Sequence, residues 1–532
     1  MHDAIIIGGG HNGLVCAFYL AAARLNPLVL ERRDKVGGAA VTEEFHPGFR
    51  NSLAAYTVSL LNPKIIRDLD LAAHGLKIVE RKLANFLPLD DGRYLKIGAG
   101  RTKSEVAKFS ARDAGRLDAY TARLDVIADV LRELVLETPP NVVSGPPLKM
   151  VGEVIKTGRL GNRLRRLGLE TQRDLLEIFT ASAGDHLDHW FECAPIKAAF
   201  GFDAIVGTYA SPYTPGTAYV LLHHCFGEVN GRKGQWGHAI GGMGAISEAM
   251  ARAAVAQGTE IRVSSAVKEV LVEKGRAAGV VTEKGEIFRA PIVAANVNPK
   301  LLYRDLVARD ALPAEFRERI ETWRCGSGTF RMNVALSELP DFSALPGRHL
   351  AEHHTAGIIL APSLAYMEEA YFDARRLGWS KKPVVEMIIA STLDPTLAPQ
   401  DAHVASLFCQ HVAPDLPNGA SWDEHREEVA DLMIATVNTY APNFKASVVA
   451  RQIFSPLDLE RTFGLIGGDI FHGQLDLGQI FSARPMLGHA DYRGPIPGLY
   501  MCGAGTHPGG GVTGLPGHNA AREILRDAGR RS

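Results

Sequence analysis

An α/β fold is predicted for this 532-residue chain, with one parallel sheet drawn from its beginning, its middle and its end. Two stretches predict it. Residues 4–38 read as strand, glycine turn, helix, strand and acid; residues 498–521 read as a strand entering a long glycine run before a closing helix. At this length roughly three domains are expected, which leaves room for an inserted α+β part.

Ala4-Ile5-Ile6-Ile7 is a short apolar run of the kind that forms a buried parallel strand. It enters Gly8-Gly9-Gly10-His11-Asn12-Gly13, which satisfies G-x-G-x-x-G with Gly8, Gly10 and Gly13. A helical run, Leu14 to Ala23, follows, and Pro27-Leu28-Val29-Leu30 then ends in Glu31. Gly8 permits the tight turn, Gly10 lets the backbone approach a pyrophosphate, and Gly13 lets helix and strand pack closely. The helix N-terminus presents unpaired N–H groups and a positive dipole end to phosphate. Glu31 can accept hydrogen bonds from a ribose hydroxyl and disfavours a 2′-phosphate there. This is the Rossmann-type dinucleotide-binding pattern.

Directly after Glu31 come Arg32, Arg33 and, six residues beyond the acid, Gly37-Gly38-Ala39-Ala40. A second glycine pair here predicts that the backbone passes the same ligand again. The continuation resembles the extended FAD fingerprint of glutathione-reductase-like flavoproteins. The expected cofactor is therefore FAD, and the candidate binding residues in this region are Gly8, Gly10, His11, Asn12, Gly13, Glu31, Arg32, Gly37, Gly38 and Ala39.

Composition narrows the function classes. The apolar fraction of 46% and charged fraction of 22% are ordinary for a globular protein. A formal net charge of −1 provides no global basic field for nucleic acid. The six cysteines are scattered without a C-x-x-C pair or zinc spacing, so free thiols in a reducing compartment are expected. The first strand begins at Ala4, leaving no space for a targeting peptide ahead of it, and no apolar segment approaches bilayer-spanning length. A cytoplasmic protein is expected, at most peripherally attached to a membrane.

Taken in order, residues 43–61 read as a loop whose polar-aromatic part, Asn51 to Tyr56, could line the cofactor pocket. Leu76 to Leu95 reads as β structure turning at Asp90-Asp91-Gly92. Thr102 to Leu136 has helical periodicity, ended by Pro139-Pro140 and Gly145-Pro146-Pro147. Lys156 to Arg173 is basic, including Arg163-Leu164-Arg165-Arg166, and reads as a solvated helix face or as an amphipathic helix touching a membrane. Asp185, His186, Asp188 and His189 lie close together, but no further ligand pattern accompanies them and no metal is expected. Residues 194–226 are poor in charge and are the candidate substrate wall.

At residue 240 the chain returns to the nucleotide domain. Gly241-Gly242-Met243-Gly244 opens a helix that Gly258 ends. Strands follow over Glu260 to Val272, with Val267 where such domains hold adenine by main-chain groups. A hairpin turns at Glu283-Lys284-Gly285, and Pro291 to Asn296 is another apolar strand. Between 300 and 450, Thr329–Leu336 and Val384–Ala390 read as strands, residues 394–399 as a rigid loop, and Glu424–Tyr440 as a helix. Finally, Gly498 to Gly505 is a strand entering glycines, Thr506 to Gly517 is a glycine-rich run, and a helix begins near His518. Such glycines let backbone lie against a flat ring and aim N–H groups at its carbonyls or at phosphate; Gly503, Ala504, Gly514 and Leu515 are the candidates. The nucleotide domain is expected over 1–70, 235–300 and 450–532, and the substrate domain over 71–234 and 301–449, with a helical part at about 102–230.

The two ends together resemble the phytoene desaturase and carotenoid oxidoreductase flavoproteins. The carriers are residues 5–17, Glu31 with Gly37-Gly38-Ala39-Ala40, and Tyr500 through Gly517, above all Gly-Ala-Gly-Thr-His-Pro-Gly at 503–509. His11-Asn12-Gly13, Gly-Gly-Ala-Ala at 37–40, Asp394 to Pro399, Tyr440 to Asn443 and Gly468 to His472 resemble the carotene-ketolase-like branch. That branch includes animal proteins named for a disulfide oxidoreductase domain, an activity that needs a redox cysteine pair and normally a second nucleotide domain; the sequence has neither C-x-x-C nor a second G-x-G-x-x-G behind a strand. The resemblance implies an FAD-dependent oxidoreductase, amine-oxidase-like in fold, that dehydrogenates a hydrophobic isoprenoid or polyene-like substrate by hydride transfer, with oxygen or a quinone as electron acceptor. Flavin-assisted isomerisation is also compatible with it. His507 is the candidate proton-handling or ring-positioning residue. The rival expectations are an amine-oxidase-like enzyme with a polar substrate and a flavin-bound regulatory or scaffold protein.

Overall fold

The computed structural model describes residues 2–143 and 147–529, with Pro147 to Lys149 described by their backbone. Its first sheet is five-stranded and parallel, in the order Glu260–Arg262, β2 (Pro27–Leu30), β1 (Ala4–Ile7), Ile292–Ala295, Leu499–Met501. β1 is central, which is why it is apolar throughout: Ala4, Ile5 and Ile6 are fully buried. Helix α1 (His11–Ala22) begins three residues earlier than the apolar periodicity suggests, because Gly10, extended at φ −71° and ψ 166°, already acts as its N-cap. His11 and Asn12 therefore stand in the first helical turn. α1 packs on the closing helix, Leu515–Asp527, so tightly that a Cβ at Gly517 would collide with the carbonyl oxygen of Asn12. The closing helix also starts three residues earlier than expected, at Leu515: Gly514 takes the left-handed conformation at φ 75° and Pro516 sits in the first turn.

The stretch expected as a loop at 43–61 contains a hairpin, Thr42–His46 with Phe49–Ser52. Its polar strand Thr-Glu-Glu-Phe-His hides the alternation that would have disclosed it. The meander over Val267–Glu273, Arg276–Thr282 and Ile287–Arg289 forms a separate three-stranded sheet.

A second sheet of seven strands carries the inserted part, in the order Val448–Phe454, Phe330–Leu336, His403–Val412, Trp379–Ile388, Gly357–Leu360, Leu83–Pro88, Tyr94–Gly98. It is antiparallel except where Gly357–Leu360 meets Leu83–Pro88. The strand expected at 384–390 runs from Trp379 to Ile388, and Ala390 has already turned into a short 3-10 segment. Alternation along Phe330–Leu336 divides two environments. Phe330, Met332 and Val334 pack under the Trp422–Tyr440 helix with Val429, Met433 and Val437, whereas Arg331 and Asn333 turn toward Tyr56 and Asn51.

Two boundaries move relative to the expected ones. A limit at 450 would cut the edge strand Val448–Phe454, which belongs to the seven-stranded sheet. Residues 301–323 pack with the first sheet: Leu302, Val307, Phe316 and Ile320 share a core with Ile5, Leu28 and Val293. The helical part comprises Thr102–Ala107, Ala111–Leu134, Pro147–Arg165, Leu169–Thr180, Ala183–Trp190, Ala194–Asp203 and Thr217–His224. The long helix expected from Thr102 is split because the Ser110 hydroxyl accepts the Asp113 N–H and starts a new one. Of its expected terminators, Gly145 and Pro146 lie outside the described residues, and Pro147 opens the next helix. Among the described residues no helix is long and apolar enough to cross a membrane.

Candidate functional site

A cavity of about 430 Å³ lies between the carboxyl ends of the parallel strands and the seven-stranded sheet, the position at which open α/β sheets place their ligands. One end is walled by Gly8, Gly10, His11 and Asn12 of the first turn, by Glu31 and Arg32 after β2, and by Gly38, Ala39, Val267 and Ala504. The segment Ala54–Leu60 runs along its middle. The other end is walled by Arg81, Phe202, Asp203, Val206, Trp236, Glu386, Ile470 and Phe471. Phe202, Asp203, Val206 and His224 are the contribution of the charge-poor segment 194–226.

At the glycine end the geometry follows from the turn. The Gly37 N–H donates to the Gly9 carbonyl at 2.9 Å, and Gly10 and Gly37 form a parallel bridge, so the second glycine pair folds back on the first. Glu31 is 6% exposed; its Oε2 accepts the Gly9 N–H at 2.7 Å and its Oε1 the Arg33 N–H at 2.9 Å. Arg32 donates to the carbonyls of Arg461 and Thr462, tying the cavity rim to the Pro456–Phe463 helix. His11 Nε2 and Asn12 Oδ1 are buried without hydrogen-bond partners at the N-terminus of α1. Burial lowers the His11 pKa to about 4, so this ring is neutral near pH 7. The first-turn amides can donate to a pyrophosphate, and the Glu31 carboxylate is an acceptor of the kind a ribose hydroxyl uses.

Other expected residues stand behind the wall. A Cβ at Gly13 would collide with the carbonyl oxygen of Gly8, so Gly13 sets the contact between α1 and β1 and leaves the cavity to its neighbours. A Cβ at Gly503 would meet Asn296 at 3.0 Å. Gly514 and Leu515 start the closing helix, where the Thr513 hydroxyl accepts the Leu515 N–H. His507 is 2% exposed and off the cavity wall, with Nε2 at 3.2 Å from the Leu134 carbonyl oxygen and its ring 5.2 Å from that of Phe481. The chain turns away from the cavity after Ala504, and His507 packs against the helical part. His186, from the acid–histidine stretch, pairs through Nδ1 with Glu177 at 3.0 Å.

Sequence reasoning missed several residues. Asn296, at the tip of Ile292–Ala295, reaches the Gly8 carbonyl through Nδ2 at 3.3 Å and stands beside Gly10, Gly13 and Gly503. Arg81, Asp203 and Glu386 come from three separate segments, and the one available signal was an acid inside the apolar run Val384-Val385-Glu386-Met387-Ile388. Cys16, on α1, and Cys502, distant in sequence, share one core cluster; both are fully buried and neither lines the cavity.

Residues 6–70 match the model of the NAD(P)-binding Rossmann-like domain. The fold and the glycine-walled cavity are those of a Rossmann-type dinucleotide-binding protein. Over 555 aligned residues the chain is 41% identical to pyridine nucleotide-disulfide oxidoreductase domain-containing protein 2 of Rattus norvegicus, covering 99% of this chain and 94% of that protein. It belongs to that protein's family. A phytoene desaturase (lycopene-forming) of Pseudescherichia vulneris is a more distant relative, 24% identical over 97% of each chain. The solved structure of a putrescine oxidase bound to putrescine shares the fold, with a TM-score of 0.59 at 16% identity over 99% of this chain and 98% of that one.

Proposed function

We propose that the chain is an FAD-dependent oxidoreductase that dehydrogenates a hydrophobic, isoprenoid or polyene-like substrate. One observation carries this reading: the glycine-walled end and the apolar wall of Phe202, Val206, Ile470 and Phe471 belong to one continuous cavity. Gly8, Gly10 and the first turn of α1 would hold the pyrophosphate, Glu31 the adenosine ribose, and Val267 the adenine. FAD, when bound, supplies the capacity to accept a hydride. The chain's own part is to orient the substrate and to exclude water from the reacting carbon. Burial holds His11 and His224 neutral near pH 7, each with a pKa lowered to about 4. The phytoene desaturase relative supports a polyene substrate, and the putrescine oxidase fold supports the flavin.

Anaerobic mixing of the flavin-loaded protein with isoprenoids and with amines tests the reading. Bleaching by an isoprenoid is expected. Bleaching by amines alone would replace it with an amine-oxidase activity, and a flavin that nothing reduces would favour the regulatory reading. Oxygen or a quinone would serve as acceptor. The helix Pro147–Arg165 supports a peripheral membrane contact, since it exposes Val151, Val154 and Ile155 on the same helix as Arg159 and Arg163. Co-sedimentation with anionic vesicles, reduced in a Val154→Asp variant, is the expected result.

A further inference from the structure

The end of the cavity farthest from the glycine turns is not purely apolar. Arg81 lies on its wall, 1% exposed, with Nε and Nη1 lacking hydrogen-bond partners and the guanidinium 5.3 Å from the centre of the Trp236 ring. Buried guanidinium nitrogens without acceptors are costly, and the cost is relieved when an anion accepts from them. Around Arg81 stand Glu386, which accepts a hydrogen bond from the Tyr56 hydroxyl, Asp203, and Arg331, stacked 4.5 Å over the Tyr56 ring. Arg331 donates to the Leu407 carbonyl at 3.0 Å and to the Ser406 hydroxyl at 3.3 Å, so it is anchored to the sheet. Arg81 has no such anchor. His224, also on this wall, stacks near Trp236 with its Nδ1 at 2.9 Å from the Val220 carbonyl oxygen.

We infer that Arg81 forms the head-group site of the cavity and takes a monoanion, so that the substrate is an apolar chain ending in a carboxylate. The inference names a substrate class for the cavity assigned above and so rests on that assignment. The charge balance supports an anion. Burial pushes the Asp203 pKa up to about 8 and raises that of Glu386 too, so these two carboxyls do not fully offset the two guanidiniums. Net positive charge is left for the ligand. A hydrocarbon would leave the Arg81 nitrogens bare, and an ammonium would face the excess positive charge.

The test is equilibrium dialysis of the full-length protein against three C15 probes, farnesoic acid, farnesol and farnesene, which needs no flavin signal. Farnesoic acid is expected to bind at least tenfold more tightly than either neutral probe. The preference should vanish in Arg81→Gln and survive in part in Arg81→Lys, while both variants keep the flavin content of the parent. Should Arg81→Gln fail to fold, Glu386→Gln supplies the opposite sign: it removes a negative charge and should tighten acid binding several-fold. Equal binding of the three probes, or an acid preference unchanged in Arg81→Gln, would overturn the inference, as would weaker acid binding in Glu386→Gln. Bound flavin is measured on the same samples. Its absence would count against the flavoenzyme reading, whereas failure of the acid preference in flavin-loaded protein would count against Arg81 alone.

Discussion

The five-stranded and the seven-stranded sides of the cavity present polarity by different means. On the first, the groups facing the ligand are main-chain amides of a glycine turn, with Glu31 tied to the Gly9 amide and to the Arg33 amide beyond it. On the second, they are charged side chains, Arg81 and Glu386, and Asp203 at the end of a helix. A main-chain cradle is neutral and costs little to bury once the turn is formed. A cluster of buried charges is stable only while its members compensate one another. The first surface therefore suits a ligand that brings its own charge to a helix terminus, and the second discriminates among ligands by charge.

Breaking the charged side should have the largest effect. Arg331→Ala would remove the cation stacked on Tyr56 and leave Glu386 with Arg81 as its remaining cationic neighbour, costing about 4 kcal/mol in denaturant unfolding. On the main-chain side, Gly13→Val would force α1 off β1 against the Gly8 carbonyl; the expected loss is about 3 kcal/mol, read by the same titration.

A third probe addresses the contact between the two sides. Burial acts to raise the pKa of Asp394, but hydrogen bonds from His238, Thr396 and the Gly241 N–H outweigh it and hold the carboxyl well below its usual range. A depressed carboxyl stabilises the fold above its unfolded pKa of about 3.9 and loses that contribution as pH falls. Melting temperature should therefore drop below about pH 4 in the parent and fall less over the same range in Asp394→Asn. The smallest effect is expected at Ser455, whose hydroxyl accepts the Asp458 N–H at 3.2 Å and caps the helix that Arg32 reaches. Ser455→Ala should cost about 1 kcal/mol and leave cofactor content unchanged.

The same contrast explains what was legible in the sequence. The βαβ unit around α1 is local: each glycine, the helix and Glu31 fall within a few tens of residues, so spacing alone predicts their arrangement. The second sheet joins Leu83–Pro88 to Gly357–Leu360 and Phe330–Leu336 to Val448–Phe454, pairings that no local period reports. His403–Val412 is not legible in the sequence because a strand buried on both faces shows no alternation. His507 follows the Leu499–Met501 strand by six residues, but proximity along the chain does not fix where the turn after Ala504 carries its ring. The head-group cluster was invisible for the opposite reason: Arg81, Asp203 and Glu386 meet only in three dimensions.

The central claim is that the glycine turns hold FAD, and its most direct test is the visible spectrum of purified protein beside that of Gly10→Val. At Gly10 a Cβ would meet the Asn296 side-chain Nδ2 at 2.9 Å, with the Gly37 oxygen and Gly38 Cα at 3.9 Å, so the Asn296 amide must shift and the variant should fold. The account predicts a flavin spectrum in the parent, FAD released on denaturation, and a folded, colourless variant. A parent that is colourless and cannot be reconstituted with FAD would contradict it, as would a variant with full flavin content.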